Sequence, residues 1–380
     1  MPFLAACGGA VTSPGGSPPE ADAGGGGVHP LTCTKLVVGG PVQQVSQAPP
    51  PNVILTSVAT GPNGVLVGMY GVERDPPGTL LVRDVGFDGA PVGEQGIPGL
   101  AWEGRLDEGF GHAGVAGGTP CSFRALDASG APPTGASVPI TSYGCSLVRA
   151  TSSGFSIVTT GDPAGPSLVA TDAAGKTLAS VALSTGGVPT AWTALPDGSL
   201  FLASVSPALD NCLCPTQFYV QHYDAAGHSL APQQQGGITW PSTSIGVAAM
   251  GAGKVLVAST PVRGAQLGVQ AFDADGDAIG PVNAIVAADA GGPIGARNVD
   301  LAAIDENVAI AAWVETTGTN ESHVVGQALS STGAPLSPPV TVATALGLHL
   351  HVVATPTGAL VVWDQQGGAP VSAAPLRCAD

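Results

Sequence analysis

The sequence predicts an all-β fold, a seven-bladed β-propeller of four-stranded antiparallel blades, and three observations carry that prediction. The first is composition. Fifty-six glycines and 35 prolines in 380 residues, with only 10% Asp, Glu, Lys and Arg, leave little material for long amphipathic helices. The second is the distribution of the 44% of residues that are hydrophobic. They gather in runs of roughly four to eight, the length of a buried strand and far short of a membrane-spanning helix. The third is a recurring unit: apolar strand, tight turn, apolar strand, variable loop, strand, Asp-x-x-Gly-type turn, strand.

In chain order, the first turn of the unit is marked by Gly64, Gly118, Gly154, Gly198, Gly253, Asn307 and Gly358, each leading into an apolar strand such as Val65-Leu66-Val67 or Leu360-Val361-Val362-Trp363. The mean spacing of about 49 residues suits one four-stranded blade. The second turn is marked at Asp88-Gly89, Asp127-Ala128-Ser129-Gly130, Asp172-Ala173-Ala174-Gly175, Asp224-Ala225-Ala226-Gly227, Asp273-Ala274-Asp275-Gly276 and Ser330-Ser331-Thr332-Gly333. Small polar residues followed by Gly supply the positive φ that a short hairpin needs.

Seven first turns stand against six second turns, and the chain ends resolve the difference. Gly39-Gly40-Pro41-Val42-Gln43-Gln44-Val45 resembles the stretch after the other second turns, as in Gly333-Ala334-Pro335-Leu336. It is expected to supply the outermost strand of the last blade, closing the propeller with the N-terminal strand and leaving no long free edge. That closure brings Cys33 to Cys378, where a bridge would contribute at most about 5 kcal/mol by chain entropy. Cys121 and Cys145 flank one second hairpin and are expected to pair within that blade. Cys212 and Cys214 are left over, and one intervening residue puts them at the edge of disulfide geometry. Sequence alone leaves all pairings of six cysteines open.

Leu4-Ala5-Ala6-Cys7 resembles the lipobox of bacterial lipoproteins, with residues 1–7 as a truncated signal and Cys7 as the lipidated residue. Residues 8–30 hold eight glycines and four prolines and almost nothing to bury, which reads as a flexible tether. Residues 31–380 are the propeller. An even set of six further cysteines suits an oxidising compartment, so the expected location is the bacterial cell envelope, lipid-anchored to the outer membrane or cell surface.

The repeat also resembles the degenerate blades of secreted β-propeller lipoproteins common in myxobacteria, in which an aromatic-bearing strand precedes a Leu-Asp-x-x-Gly turn. Residues 307–343, with Trp313 and Gly333, match best. The resemblance covers about residues 33–378 and implies fold and export; no chemistry attaches to it. Trp363-Asp364 does not make a WD40 repeat, because no Gly-His partner precedes it.

Candidate chemistry is sparse. Gly251-Ala252-Gly253-Lys254 lacks the first Gly and the Ser or Thr of a phosphate loop and reads as a turn before a strand. Asp273-Ala274-Asp275-Gly276-Asp277 has its Gly too early for a calcium loop and Ala284 where the bidentate Glu belongs. His349 and His351 share one strand face, as two metal ligands would, but read as lining or packing residues of an innermost strand. The sequence implies no metal and no cofactor. Net charge of −16 repels polyphosphates, so no nucleic-acid partner is expected.

Function is therefore expected on the face where the variable loops cluster, since polar, aromatic-bearing loops on a rigid scaffold carry recognition. The candidate ligand-binding residues are Arg74, Asp75, Trp102, Arg105, Trp240, Arg263, Glu315 and His323. The leading reading is an exported binding or scaffold protein for an envelope protein, peptide or glycan, with no catalytic residue assigned. The alternative is a hydrolase or lyase of cell-surface polysaccharide, for which Asp107, Glu108 and Glu315 would have to supply paired carboxylates.

Overall fold

The computed structural model describes residues 32–46, 53–61, 63–71, 79–97, 105–109, 112–127, 129–131, 137–185, 187–195, 197–205, 218–236, 242–261, 266–286, 295–316, 321–344, 347–365 and 369–379. Within the compact unit Leu31–Asp380, seven antiparallel sheets make the seven blades of a β-propeller. Each is named here by its blade, with strands counted outward from the centre.

Blade 1 runs Val53–Thr60, Val65–Gly71, Leu80–Val85, Pro91–Ile97, and blade 2 runs Arg105–Gly109, His112–Gly117, Cys121–Leu126, Val138–Thr141. Blade 3 is Gly144–Thr151, Gly154–Thr160, Ser167–Asp172, Thr177–Ala182, and blade 4 is Val188–Ala194, Leu200–Val205, Phe218–Tyr223, Gln234–Gln235. Blade 5 is Ser242–Ala249, Val255–Pro261, Gln266–Phe272, Ala278–Val286, and blade 6 is Gly295–Ala303, Val308–Thr316, Ser322–Ser330, Val340–Thr344. Blade 7 takes Gly347–Thr355, Gly358–Gln365 and Ala369–Cys378 from the C-terminus.

The fourth strand of blade 7 comes from the N-terminus, as the repeat predicts. It is broken in two: Leu36–Val38 pairs with Ala369–Cys378 at Leu36↔Cys378, and Gln43–Gln44 pairs with it at Gln43↔Ala373. Pro375 in the partner strand has no N–H to give, but its carbonyl accepts Gly39 N–H at 2.7 Å. Cys33 and Cys378 form a disulfide, and Ala379 N–H donates to Lys35 O beside it at 2.9 Å.

Second strands are apolar on both faces because each is sandwiched between two other blades. In blade 6, Val308, Ile310, Ala312 and Val314 pack towards blade 7, while Ala309, Ala311 and Trp313 pack towards blade 5. The period of two thus divides one strand between two cores. Every blade-to-blade interface has such a hydrophobic cluster. The smallest lies between blades 3 and 4, around Val158, Leu168, Leu200, Leu202 and Tyr223.

The six second turns close as expected. In blades 2 to 5 the turn Asp accepts two backbone N–H groups on Oδ1: Asp172, for example, from Ala174 at 3.0 Å and Lys176 at 2.8 Å. Ser330 does the same with Oγ in blade 6. The turn glycines serve a second purpose, which is close approach to the blade before. A Cβ at Gly130, Gly175, Gly227 or Gly333 would meet Val82, Phe123, Leu168 or Val269, each on the third strand of the preceding blade.

Two expectations are corrected. Gly118 is not a first turn: it lies between the second and third strands of blade 2, whose first and second strands are Arg105–Gly109 and His112–Gly117, paired at Gly109↔His112. The second strand there is His-Ala-Gly-Val-Ala-Gly, whose small residues give a weak apolar signal because Phe123 and Phe155 fill the space beside Gly114. Cys121 and Cys145 do form a disulfide, but it joins blade 2 to blade 3 rather than staying within one blade. Cys7, Cys212 and Cys214 lie outside the described residues.

Candidate functional site

First strands of all seven blades line one central channel of about 860 Å³. Its character is decided by a repeated irregularity. In six of the seven blades the pairing of first with second strand is interrupted by a β-bulge, at Leu55/Ser57, Cys145/Leu147, Pro189/Ala191, Ser242/Ser244, Arg297/Asp300 and Gly347/Leu350. A bulge inserts an unpaired residue and re-aims its side chain. Here the inserted residues include Thr56, Ser146, Thr190, Asn298 and His349, so a polar ring runs through otherwise apolar strands. Strand direction puts these bulges towards the face that carries the blade connections and the loops between second and third strands.

Side chains of the first strands tie one first strand to the next. Ser57 Oγ accepts Leu106 N–H at 2.9 Å, Asp107 Oδ2 accepts Ala150 N–H at 2.6 Å, and Asp300 Oδ2 accepts Val352 N–H at 3.0 Å. Thr60 Oγ1 donates to Ala354 O at 3.1 Å. These bonds cross the interfaces between blades 1 and 2, 2 and 3, 6 and 7, and 7 and 1. Backbone groups without strand partners at the innermost position are thereby satisfied.

The channel wall is chemically divided. Blades 2 and 3 contribute Arg105, whose Nη1 donates to Thr56 O, and the ion pair of Arg149 Nε with Asp107 Oδ2 at 3.6 Å. Blades 6 and 7 contribute Asp300, His349 and His351, with the buried Asp364 behind them. Blades 4 and 5 contribute Trp192, Ala191, Ile245 and Val247. One wall is therefore cationic, one carries imidazole and carboxylate, and one is aromatic and aliphatic, which suits a molecule with both polar and apolar surface.

Of the residues singled out from sequence, Arg105 is on a first strand in the channel rather than in a loop between blades, because Arg105–Gly109 continues the sheet. Glu315 and His323 are likewise on strands: they face each other in the pairing of the second and third strands of blade 6, which extends one residue pair beyond them to Thr316↔Ser322. Glu315 is buried and does not line the channel; His323 Nδ1 lies 3.3 Å from Thr344 Oγ1. Asp107 and Glu315, on blades 2 and 6, thus do not converge as a carboxylate pair, and the Glu108 side chain lies outside the described residues. So do Arg74, Asp75, Trp102, Trp240 and Arg263. His349 and His351 both line the channel, as their shared strand face predicts.

Sequence reasoning passed over Asp364, Asp300, Arg149 and Trp192. Asp364 was visible only as half of a Trp-Asp pair, and its relation to His349 depends on a bulge that no local pattern announces. Buried Ser199 and His222 and exposed Asp197 form a chain, with His222 Nε2 2.6 Å from Ser199 Oγ and Ser199 Oγ donating to Asp197 Oδ1 at 2.6 Å. The carboxylate there contacts the serine and not the imidazole, so the order is wrong for nucleophile activation. Its effect is local: the Ser199 hydroxyl and backbone N–H hold the Asp197 carboxyl below its ordinary range.

No family model and no curated protein matches the chain. Solved structures do match it. A hydrazine synthase structure from Kuenenia stuttgartiensis superposes at TM-score 0.56 with 12% identity, over 87% of this chain and 97% of the other. A protein of unknown function from Dyadobacter fermentans DSM 18053 superposes at TM-score 0.54 with 11% identity, over 90% and 99%. At these identities the likeness shows the β-propeller fold alone.

Proposed function

We propose that the chain is an exported, lipid-anchored binding or scaffold propeller of the bacterial cell envelope, receiving a protein, peptide or glycan on its variable-loop face at the mouth of the central channel. The observation that carries this reading is the channel itself: Arg105 and Arg149, two histidines and Trp192 are presented together on a rigid wall of paired strands. Preorganised polar groups beside an apolar surface bind a ligand without first paying to order themselves. Two disulfides, Cys33–Cys378 and Cys121–Cys145, support an oxidising, extracytoplasmic compartment. The resemblance to myxobacterial propeller lipoproteins and the lipobox-like Cys7 support the anchor.

The test uses the full chain as bait against glycan arrays and fractionated envelope proteins, beside Arg105→Ala and Trp192→Ala variants. A ligand retained by the native chain and weakened by either variant supports capture at the channel mouth. Retention that is equal across all three proteins, or no retention by any, overturns it.

A further inference from the structure

His349 stands at the bulge in the first strand of blade 7, opposite Asp364 on the second. Its backbone N–H donates to Asp364 Oδ1 at 2.8 Å, and its ring Nδ1 lies 2.7 Å from Oδ2 of the same carboxylate. That carboxylate also accepts Leu55 N–H from blade 1 at 3.0 Å. The Asp364 side chain is 2% exposed, yet the imidazole it holds is 48% exposed. Two residues on, His351 repeats the arrangement: Nδ1 lies 3.3 Å from Asp300 Oδ2, and Asp300 accepts the N–H groups of Leu301 at 2.9 Å and Val352 at 3.0 Å.

Each carboxylate also accepts backbone N–H bonds, and each imidazole meets its carboxylate at Nδ1, which turns the Nε2 edge of each ring away from that carboxylate. Among the described residues, each ring makes its polar contact through Nδ1 alone. Fixing a half-exposed side chain sacrifices rotamer freedom for little burial. Orienting a ring through Nδ1 so that Nε2 is presented is what a metal ligand requires.

We propose that His349 and His351 form a two-histidine site for a late first-row divalent cation, with Nε2 of each ring ligating and Asp364 and Asp300 orienting the rings. Both rings line the channel from one strand, two residues apart, with the bulge setting His349 against Asp364 and His351 set against Asp300. Imidazole suits copper, nickel and zinc, and affinity rises to Cu²⁺ in the Irving–Williams order. The two carboxylates add negative charge beside the site. Among the described side chains that line the channel, the arginines stand on blades 2 and 3, with blade 1 between them and the histidines around the ring, and Arg149 is paired with Asp107. No three His, Cys, Asp or Glu side chains converge among the described residues. Two protein nitrogens therefore leave the other positions to water or to donors of an incoming molecule. The site shares its two histidines with the channel proposed above to receive a ligand, but binding of the cation does not require that ligand.

Titration of Cu²⁺, and separately Zn²⁺, into the full chain tests it by calorimetry, with electron paramagnetic resonance counting the nitrogens on copper. One Cu²⁺ per chain is expected, bound more tightly than Zn²⁺ and showing two imidazole nitrogens. His349→Ala and His351→Ala should each remove one nitrogen and weaken binding at least about tenfold, while Asp364→Asn and Asp300→Asn should weaken it about 10- to 100-fold and remove none. Asp364 also ties blade 7 to blade 1 and Asp300 ties blade 6 to blade 7, so each variant is a second measurement on the other, with a melting curve confirming the fold of each. His228→Ala, an exposed histidine on a blade 4 turn, should change nothing. Absence of stoichiometric Cu²⁺ binding by the native chain, or undiminished binding by the His349→Ala/His351→Ala double variant, overturns the proposal.

Discussion

Tyr223 shows how much one side chain contributes to an interface. It ends the third strand of blade 4, is 2% exposed, and places its hydroxyl 3.2 Å from Ser184 O and 3.1 Å from Gln221 Oε1. Burial pushes the phenol up to about 12 from an ordinary value of 10.0. The unfolded chain therefore loses this proton first as pH rises. Its contribution to stability is complete below pH 10 and declines between 10 and about 12. Melting curves across that window should show a steeper alkaline loss for the native protein than for Tyr223→Phe. An identical slope in both would contradict the assignment. Little of this was legible beforehand: Tyr223 was visible as a residue before a turn, but its partner Ser184 is 39 residues away, across a blade boundary.

At the scale of elements, the turn and its neighbour explain why the repeat was readable. Asp and Gly recur because one caps the backbone of a hairpin and the other lets that hairpin touch the preceding blade. Gly175 and Gly198 separate these effects. Gly175, at φ +87°, would set a Cβ into the Phe123 ring, whereas Gly198, at φ +84°, has open space around it. Gly198→Ala should cost only the left-handed backbone, about 1–2 kcal/mol, and Gly175→Ala a further 1–3 kcal/mol or so from overpacking. Denaturant midpoints would distinguish them, and equal losses would mean that the turn does not press on its neighbour. Sequence reading failed in blade 2 for the complementary reason: glycines make room there for Phe123 and Phe155, so the strand has too little apolar mass to be seen. The buried polar residues three positions before the turn Asp or Ser, Gln221, Gln270 and Gln327, also escaped notice. Gln221 and Gln327 reach across to the segment that follows their own turn, at Ser229 Oγ and Ser337 O.

For the whole molecule, blade number, strand count and the closing N-terminal strand were all legible, since each depends on a pattern that repeats along the chain. The channel was not, because its chemistry arises where seven distant strands meet and where bulges shift the register. Closure also ranks the two disulfides. Cys33–Cys378 spans 345 residues and Cys121–Cys145 spans 24. Chain entropy then makes loss of the first pair costlier by about 2 kcal/mol. Paired Cys→Ser variants, unfolded in guanidinium, should fall in that order, and the reverse order would show that the N-terminal strand holds blade 7 without help.

In six blades an Asp-x-x-Gly-type turn joins third strand to fourth; in blade 7 the Cys33–Cys378 bond occupies that place. A sulfur–sulfur bond and a peptide hairpin are thus interchangeable connectors here, and the position at which translation begins is immaterial to the architecture. A gene rearranged to start at another blade connection, with residues 379 and 32 spliced through a four-residue turn, would encode the same set of contacts in a different reading order.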